Sequence, residues 1–321
     1  MLAKLNEGRN STISKRTIDG FLVCVNLLAA AANTVLAATL YGTGTGFDAS
    51  QVNFKVILRR SGKEYVIMHD NLGILGAFNS ILNGAKNWFL GTDIIRPASG
   101  VKHNSIRTLF ISLGGHLNLS VGDEIYYEVN VGRNAFGSAI DTTASYIQIN
   151  PHYSIGKEVG IFLTKSNVIQ ASATRESVNL GNNVTRIAFL NMEDTGVSNQ
   201  IIQNLNFSSD RIDGSYNFGE LIALNDLWFR NSQWLKYFDY SSGGSDVDSY
   251  QPAYPQSFVF HNEEAVDNAA VDITFDPTKV SAQKNYLVYQ SFLSSKEIIA
   301  KAAAMSEKHA VENLSKLPVT L

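Results

Sequence analysis

Laid on itself at an offset near 150 residues, the chain repeats its own pattern, and that repeat restricts its possible folds more than any single motif does. Val52-Asn53-Phe54, a Gly-containing turn, a second strand and the apolar run NLGILGAFN match Leu205-Asn206-Phe207, the turn at Asp213-Gly214, a second strand and ELIALNDLWFRN. Trp88-Phe89-Leu90 meets Trp234-Leu235-Lys236 at an offset of 146, and residues 125–130 meet residues 271–276 at the same offset. Order and spacing are kept while identity is low, so two unrelated units of equal size stand as the competing reading. The join falls between Asn150-Pro151 and Gly160. A length of 321 residues accommodates two ordinary domains.

Each copy has the rhythm of β structure. In VNFKVILR, Val52, Phe54, Val56 and Leu58 alternate with Asn53, Lys55 and Arg59, the period of a strand with one buried face. The turn Arg60-Ser61-Gly62-Lys63 leads into EYVIMH, so residues 52–69 read as a hairpin. Ile125, Tyr127, Val129 and Val131 alternate with Tyr126, Glu128 and Asn130, and residues 106–113 and 147–150 read as further strands. Short strands punctuated by Gly, Asn and Asp suit an antiparallel sandwich or jelly roll. The apolar segments after the two hairpins, residues 72–89 and 221–238, lack strict alternation and are expected to form short inserted helices.

The two ends of the chain differ from its body. Residues 20–47 carry no charge, and FLVCVNLLAAAANTVLAATL is long enough to span a bilayer as a helix. A spanning helix, a cleaved signal ending near Val35-Leu36-Ala37, and a pair of strands at 21–28 and 34–41 are the open readings; Asn26, Asn33 and Asp19 favour the strands. Residues 1–20 read as a polar N-terminal arm carrying Lys4, Arg9, Lys15 and Arg16. At the other end, Ser294-Ser295-Lys296-Glu297 is a capping box that opens an amphipathic helix bounded by Pro318.

Chemistry is sparse. Charged residues make up 17% of the chain and the net charge is −3, which excludes a broadly basic nucleic-acid binder, and no sequence-specific nucleic-acid contact is expected. The six histidines show no metal-ligand spacing, no G-x-S-x-G elbow occurs, and Cys24 sits in an apolar Val-Cys-Val setting without a nearby base. An enzyme is therefore not expected. Glu124 and Glu128 share a strand face and are the one candidate acid/base pair. Asp246 and Asp248, in the loop DYSSGGSDVD, are the candidate ligands for a structural calcium ion, although the loop lacks the EF-hand spacing. No other cofactor is indicated.

Paired hairpins at Val52 and Leu205, paired Trp88 and Trp234, and paired late strands at Ile125 and Val271 resemble the double jelly-roll major capsid proteins of tailless, internal-membrane icosahedral bacteriophages of the tectivirus, corticovirus and finnlakevirus type. The resemblance spans residues 21–293. It implies a mainly β fold of two tandem eight-stranded jelly rolls, at 21–160 and 161–293, with a C-terminal helix and tail at 294–321. It further implies a structural protein made in the host cytoplasm and housed in the virion. Such a protein would trimerise into pseudo-hexameric capsomers, contacting neighbouring capsomers, minor capsid or vertex proteins and an internal lipid membrane. On that model Lys4, Arg9, Lys15 and Arg16 would face the membrane. A carbohydrate-binding or adhesive β-sandwich, using Trp88, Trp228, Trp234, Tyr250 or Tyr254, is the alternative.

Overall fold

Alternation becomes pairing in the computed structural model, which describes residues 1–39, 44–83, 91–92, 99–170, 172–190, 202–217, 219–221, 258–278 and 285–295. The first unit contains β1 (Leu2–Ala3), β2 (Gly8–Ser14), β3 (Thr17–Ala32), β4 (Ala37–Thr39), β5 (Phe47–Asp48), β6 (Val52–Arg60), β7 (Lys63–Asn71), α1 (Leu72–Asn83), β8 (Gly91–Thr92), β9 (Lys102–Asn118), β10 (Glu124–Val131) and β11 (Tyr146–Tyr153). The second contains β12 (Gly160–Ile169), β13 (Arg175–Gly181), β14 (Val184–Leu190), β15 (Ile202–Ser208), β16 (Asp213–Asn217), β17 (Phe258–Val266), β18 (Ala269–Phe275) and β19 (Asn285–Ser294).

The sheets have the orders β1-β11-β3-β9 and β2-β10-β6-β7 in the first unit, and β12-β19-β14-β17 and β13-β18-β15-β16 in the second. Strands β4, β5 and β8 form a small sheet of their own. Without them each unit has eight strands. In both units the first, eighth, third and sixth strands form one sheet, and the second, seventh, fourth and fifth form the other. Pairing within all four sheets is antiparallel, which makes each unit a jelly roll and the chain a double jelly roll.

The buried stripes fill the space between the sheets. Phe21, Val23, Val25 and Leu27 of β3 meet Phe54, Val56 and Leu58 of β6, and the rings of Phe21 and Phe54 lie edge to face at 5.3 Å. Val184, Ile187 and Phe189 of β14 meet Phe207, Ile273 and Phe275 in the second core, where Phe189 and Phe275 are 5.9 Å apart. The β6–β7 turn has Ser61 and Gly62 at φ 51° and 75°, the two left-handed positions of a two-residue hairpin turn.

Matched caps carry the duplication to the level of single hydrogen bonds. The Ile74 amide donates to Asn71 Oδ1 at 2.9 Å, and the Glu220 amide donates to Asn217 Oδ1 at 3.0 Å. Leu75 lies in the first core and Leu221 in the second. All three pairs stand 146 residues apart, the offset read from the sequence.

The structure corrects the reading of the N-terminus. Residues 1–20 are not an arm, because β1, β2 and the start of β3 are the first three strands of the first jelly roll, with β1 paired to β11 and β2 to β10. Among the described residues the uncharged run holds two strands, as its asparagines favoured, but with other bounds and paired to other strands rather than to each other. Strand β3 runs unbroken for 16 residues and pairs with β11 and β9, and β4 pairs with β5 and β8. No helix among the described residues is long and apolar enough to cross a membrane. The expected C-terminal helix lies, beyond Ser295, outside the described residues.

Removing either cap leaves helix amides without their acceptor. Asn71→Ala and Asn217→Ala are each expected to lower stability by about 1 kcal/mol. Thermal melts of the two single variants and the double variant check this, and the two losses should add because the caps lie in different units.

Candidate functional site

The best-built polar site lies where the two jelly rolls join. Arg60, at the end of β6, donates from Nε to Asp123 Oδ2 at 3.0 Å, from Nη1 and Nη2 to the two carboxylate oxygens of Glu158 at 2.6 and 3.1 Å, and from Nη2 to the Asn118 carbonyl at 2.5 Å. Glu158 sits in the linker 154–159, and its Oε2 also accepts the Asn118 amide at 2.8 Å. Asp123 Oδ2 accepts the Ser120 amide as well. The three side chains are 9%, 10% and 12% exposed, so one guanidinium binds a hairpin end, a loop and the interdomain linker in a nearly dry setting.

Close backbone approach does the rest. Gly114 has φ +80°, and a Cβ there would lie 1.8 Å from the Phe162 ring; a Cβ on Gly115 would lie 2.5 Å from the Gly160 carbonyl. A Cβ on Gly156 would lie 1.8 Å from the His116 ring, whose Nδ1 is 2.8 Å from Ser154 Oγ. Helix α1 is wedged into the same junction. Leu72 and Leu75 belong to the first core, whereas Ile74, Ala77 and Phe78 are buried outside it, and the helix packs on β14 and β19. Burial raises the pKa of Asp70, beside α1, against the opposing pull of Ser166, the Asn71 amide and His69.

None of the candidate catalytic groups is arranged for catalysis. Glu124 is bonded to Arg59 at 2.7 Å, and Glu128 accepts from Asn130 at 2.6 Å and Tyr126 at 2.9 Å. Those two bonds hold the Glu128 carboxyl below its ordinary value, the reverse of what a general acid needs. Burial raises the Cys24 thiol, which reduces its thiolate. Among the described residues no group of three or more His, Cys, Asp and Glu could hold a metal ion. Asp246 and Asp248 lie outside the described residues, as do Trp88, Trp228, Trp234, Tyr250 and Tyr254.

The four basic residues of the expected arm are not brought together. Lys4 donates to the Thr143 carbonyl and Arg9 pairs with Glu7 at one end of β2; Lys15 and Arg16 form the turn at its other end, about 20 Å away for a strand of this length. Arg16 stacks over Tyr153 at 5.4 Å. The same end exposes Val121, Ile155, Val159 and Lys157, apolar and basic together. Sequence reasoning missed this patch because its members come from three separate turns. The matching end of the second roll is different, with Asp210 and Glu264 around Arg211.

Comparison with known proteins gives the fold a precedent. No family model and no curated protein matches the chain by sequence. The chain is similar in structure to major capsid proteins of the double jelly-roll class. The major capsid protein of Sulfolobus turreted icosahedral virus superposes with a TM-score of 0.59 at 13% identity, covering 91% of this chain and 93% of that one. A chain from the atomic structure of the same virus matches at 0.58 and 12% identity, covering 97% of each. The major capsid protein of bacteriophage PM2 follows at 0.46 and 8%, with 92% and 97% covered.

Removing Arg60 leaves two nearly buried carboxylates unpaired, so Arg60→Ala is expected to cost about 3 kcal/mol or more. Acid should act through the same site. Burial alone would raise the Glu158 carboxyl, but Arg60 and the Asn118 amide outweigh it and hold the group below 4.5. The folded chain therefore binds fewer protons here than the unfolded chain just below pH 4.5, so this stabilisation is complete above that pH and is lost as pH falls through the folded value. Melting temperatures from pH 7 to pH 3 should fall less steeply in Glu158→Gln than in the wild type.

Gly114→Ala meets two obstacles, a left-handed φ and an aromatic ring already in the space. It is expected to destabilise the junction by more than 1 kcal/mol, with Gly122→Ala, at φ +89° in open space, as the control for φ alone in parallel melts.

Proposed function

We propose that this chain is the major capsid protein of an icosahedral virus, a structural protein rather than an enzyme, located in the virion shell. One observation carries the reading: two jelly rolls of identical topology fused through a junction with little freedom to hinge. A fused pair of like units supplies two of six similar positions in a ring, so three chains complete a pseudo-hexameric tile. Neighbouring capsomers and minor capsid or vertex proteins are its expected partners. The similarity in fold to the viral capsid proteins above supports this reading.

An internal membrane is the finer part of the proposal. The patch of Lys15, Arg16 and Lys157 beside Val121, Ile155 and Val159 has the chemistry of a contact with anionic lipid, cationic at the headgroup and apolar beneath it. Lys4 and Arg9, at the far end of β2, have no part in it. The contact would be made by the first jelly roll alone, and it would weaken with salt.

Light scattering of the purified chain at two concentrations and two salt levels tests assembly. The expected mass is about 106 kDa, three chains of 35.2 kDa, with larger particles at higher concentration. A persistent monomer that is retained on a glycan matrix would replace this reading with the carbohydrate-binding one. Sedimentation with vesicles of phosphatidylserine and phosphatidylcholine tests the lipid contact; binding at low salt that Lys15→Glu with Arg16→Glu abolishes is the expected outcome.

A further inference from the structure

The internal repeat gives the first jelly roll a face whose counterpart in the second is already covered. In the second roll, the outer face of the sheet β12-β19-β14-β17 is closed over by the first roll: β12 packs on β7 and β9, and α1 packs on β14 and β19. Ala188, Leu190 and Val288 on that outer face are buried yet lie in neither core. Thr164 and Gln290 beside them are buried and bonded to each other at 3.0 Å. The chemistry of the covered face is thus aliphatic with paired amides and hydroxyls, together with Arg186, whose guanidinium lies over the Phe162 ring at 4.7 Å.

The equivalent face of the first roll, on β1-β11-β3-β9, carries similar aliphatic and neutral polar groups, and among the described residues it stays open around Leu22, Ile106 and Phe110. Leu22 pairs with Phe110, Cys24 with Thr108 and Asn26 with Ile106, and all six point away from the core stripe of Val23, Val25 and Leu109. None of the six is charged. Leu22 is 46% exposed, Ile106 62% and Phe110 37%. The outer face of the partner sheet β2-β10-β6-β7 differs sharply, with Arg59, Glu64 and Glu124 joined in ion pairs across it. Strands β11, β3 and β9, about 4.8 Å apart and each at least eight residues long, give a footprint on the order of 400 Å², about half of the roughly 800 Å² per partner that stable interfaces bury.

We infer that the outer face around Leu22, Ile106 and Phe110 is the docking surface for the second jelly roll of another copy of this chain, which covers it as the first roll covers the second within one chain. The contact is head to tail, so each copy presents one donor and one acceptor surface, and successive copies close into a ring. This inference rests on the capsomer reading and names the surface that makes it. A face whose charge is confined to the Asp19–His152 pair beside Phe110 also fits a protein partner of like composition better than a nucleic acid or a cationic ligand.

Cys24 is the sole cysteine of the chain and sits half-buried in the middle of this face, which makes it a native reporter. The experiment compares oligomer mass by light scattering with the rate of Cys24 alkylation by a maleimide. The proteins are the full-length wild type, Ile106→Asp, Thr108→Arg and the control Val121→Asp, at the exposed end of the same roll. Circular dichroism and melting temperature establish that each variant is folded. The expected result is a wild type and a control of trimer mass with Cys24 protected. Folded Ile106→Asp and Thr108→Arg should be monomers in which Cys24 reacts at least tenfold faster. A trimer that persists in both face variants, or a wild-type trimer with Cys24 as reactive as in a monomer, overturns the assignment of this face and leaves the capsomer reading standing. A wild-type chain that is monomeric at every concentration overturns both.

Discussion

Arg60 ties the linker between the two jelly rolls to the body of the first, and so bears on how the second is set against it. Each of its three bonded neighbours belongs to a different piece of chain: the loop at Asp123, the end of β9 at Asn118 and the linker at Glu158. A guanidinium suits this role because its rigid fork can satisfy several acceptors at once, and because it keeps its charge where a lysine would lose it to burial. The site contributes geometry more than net energy. Taking three charges out of water consumes most of what their attraction returns, so an apolar substitute of the right shape is expected to hold the linker as tightly without fixing its angle as sharply.

The lock does not act alone. Gly114, Gly115 and Gly156 let backbones and rings approach to distances that any Cβ would block, and α1 fills the wedge that remains. Polar lock, close approach and shared helix each restrict a different motion. Together they explain why a six-residue linker does not behave as a tether between independent domains. On the proposed shell-building reading the angle between rolls matters as much as the fold of either, because a small error in one chain is multiplied around a ring.

Much of the fold was legible because strand period and turn chemistry are local signals. The alternation in 52–59 and 125–131, the turn at Ser61-Gly62 and the repeat offset of 146 all appear in the structure as read. The N-terminus was misread for a physical reason. Residues 1–20 are polar because β2 presents one face to water and lies at a sheet edge, and an edge strand with one solvated face resembles an arm in composition. The run at 20–47 admitted a spanning helix because β3 is long and the outer face of that strand is uncharged, although the strand reading held for β3 and β4. The place of the join was legible, between Asn150 and Gly160, but the contacts that lock it were not. Arg60 and Glu158 are 98 residues apart, and no spacing rule links a hairpin arginine to a linker glutamate. Glu124 and Glu128 were correctly seen to share a face, but whether a carboxylate is free or held depends on the cross-strand partner, here Arg59 for Glu124.

The double burial of α1 has a consequence for how the chain is made. During synthesis the first roll emerges before Ile161 and Leu293, which complete its core, and the side of α1 that meets β14 and β19 waits for both strands. At about 5–20 residues per second, the ribosome leaves that side of the helix bare for on the order of ten seconds after the first roll has emerged. Every copy of the chain thus passes through a half-built stage with apolar surface bare. Chaperones, as much as the sequence, then set how many copies reach the folded state.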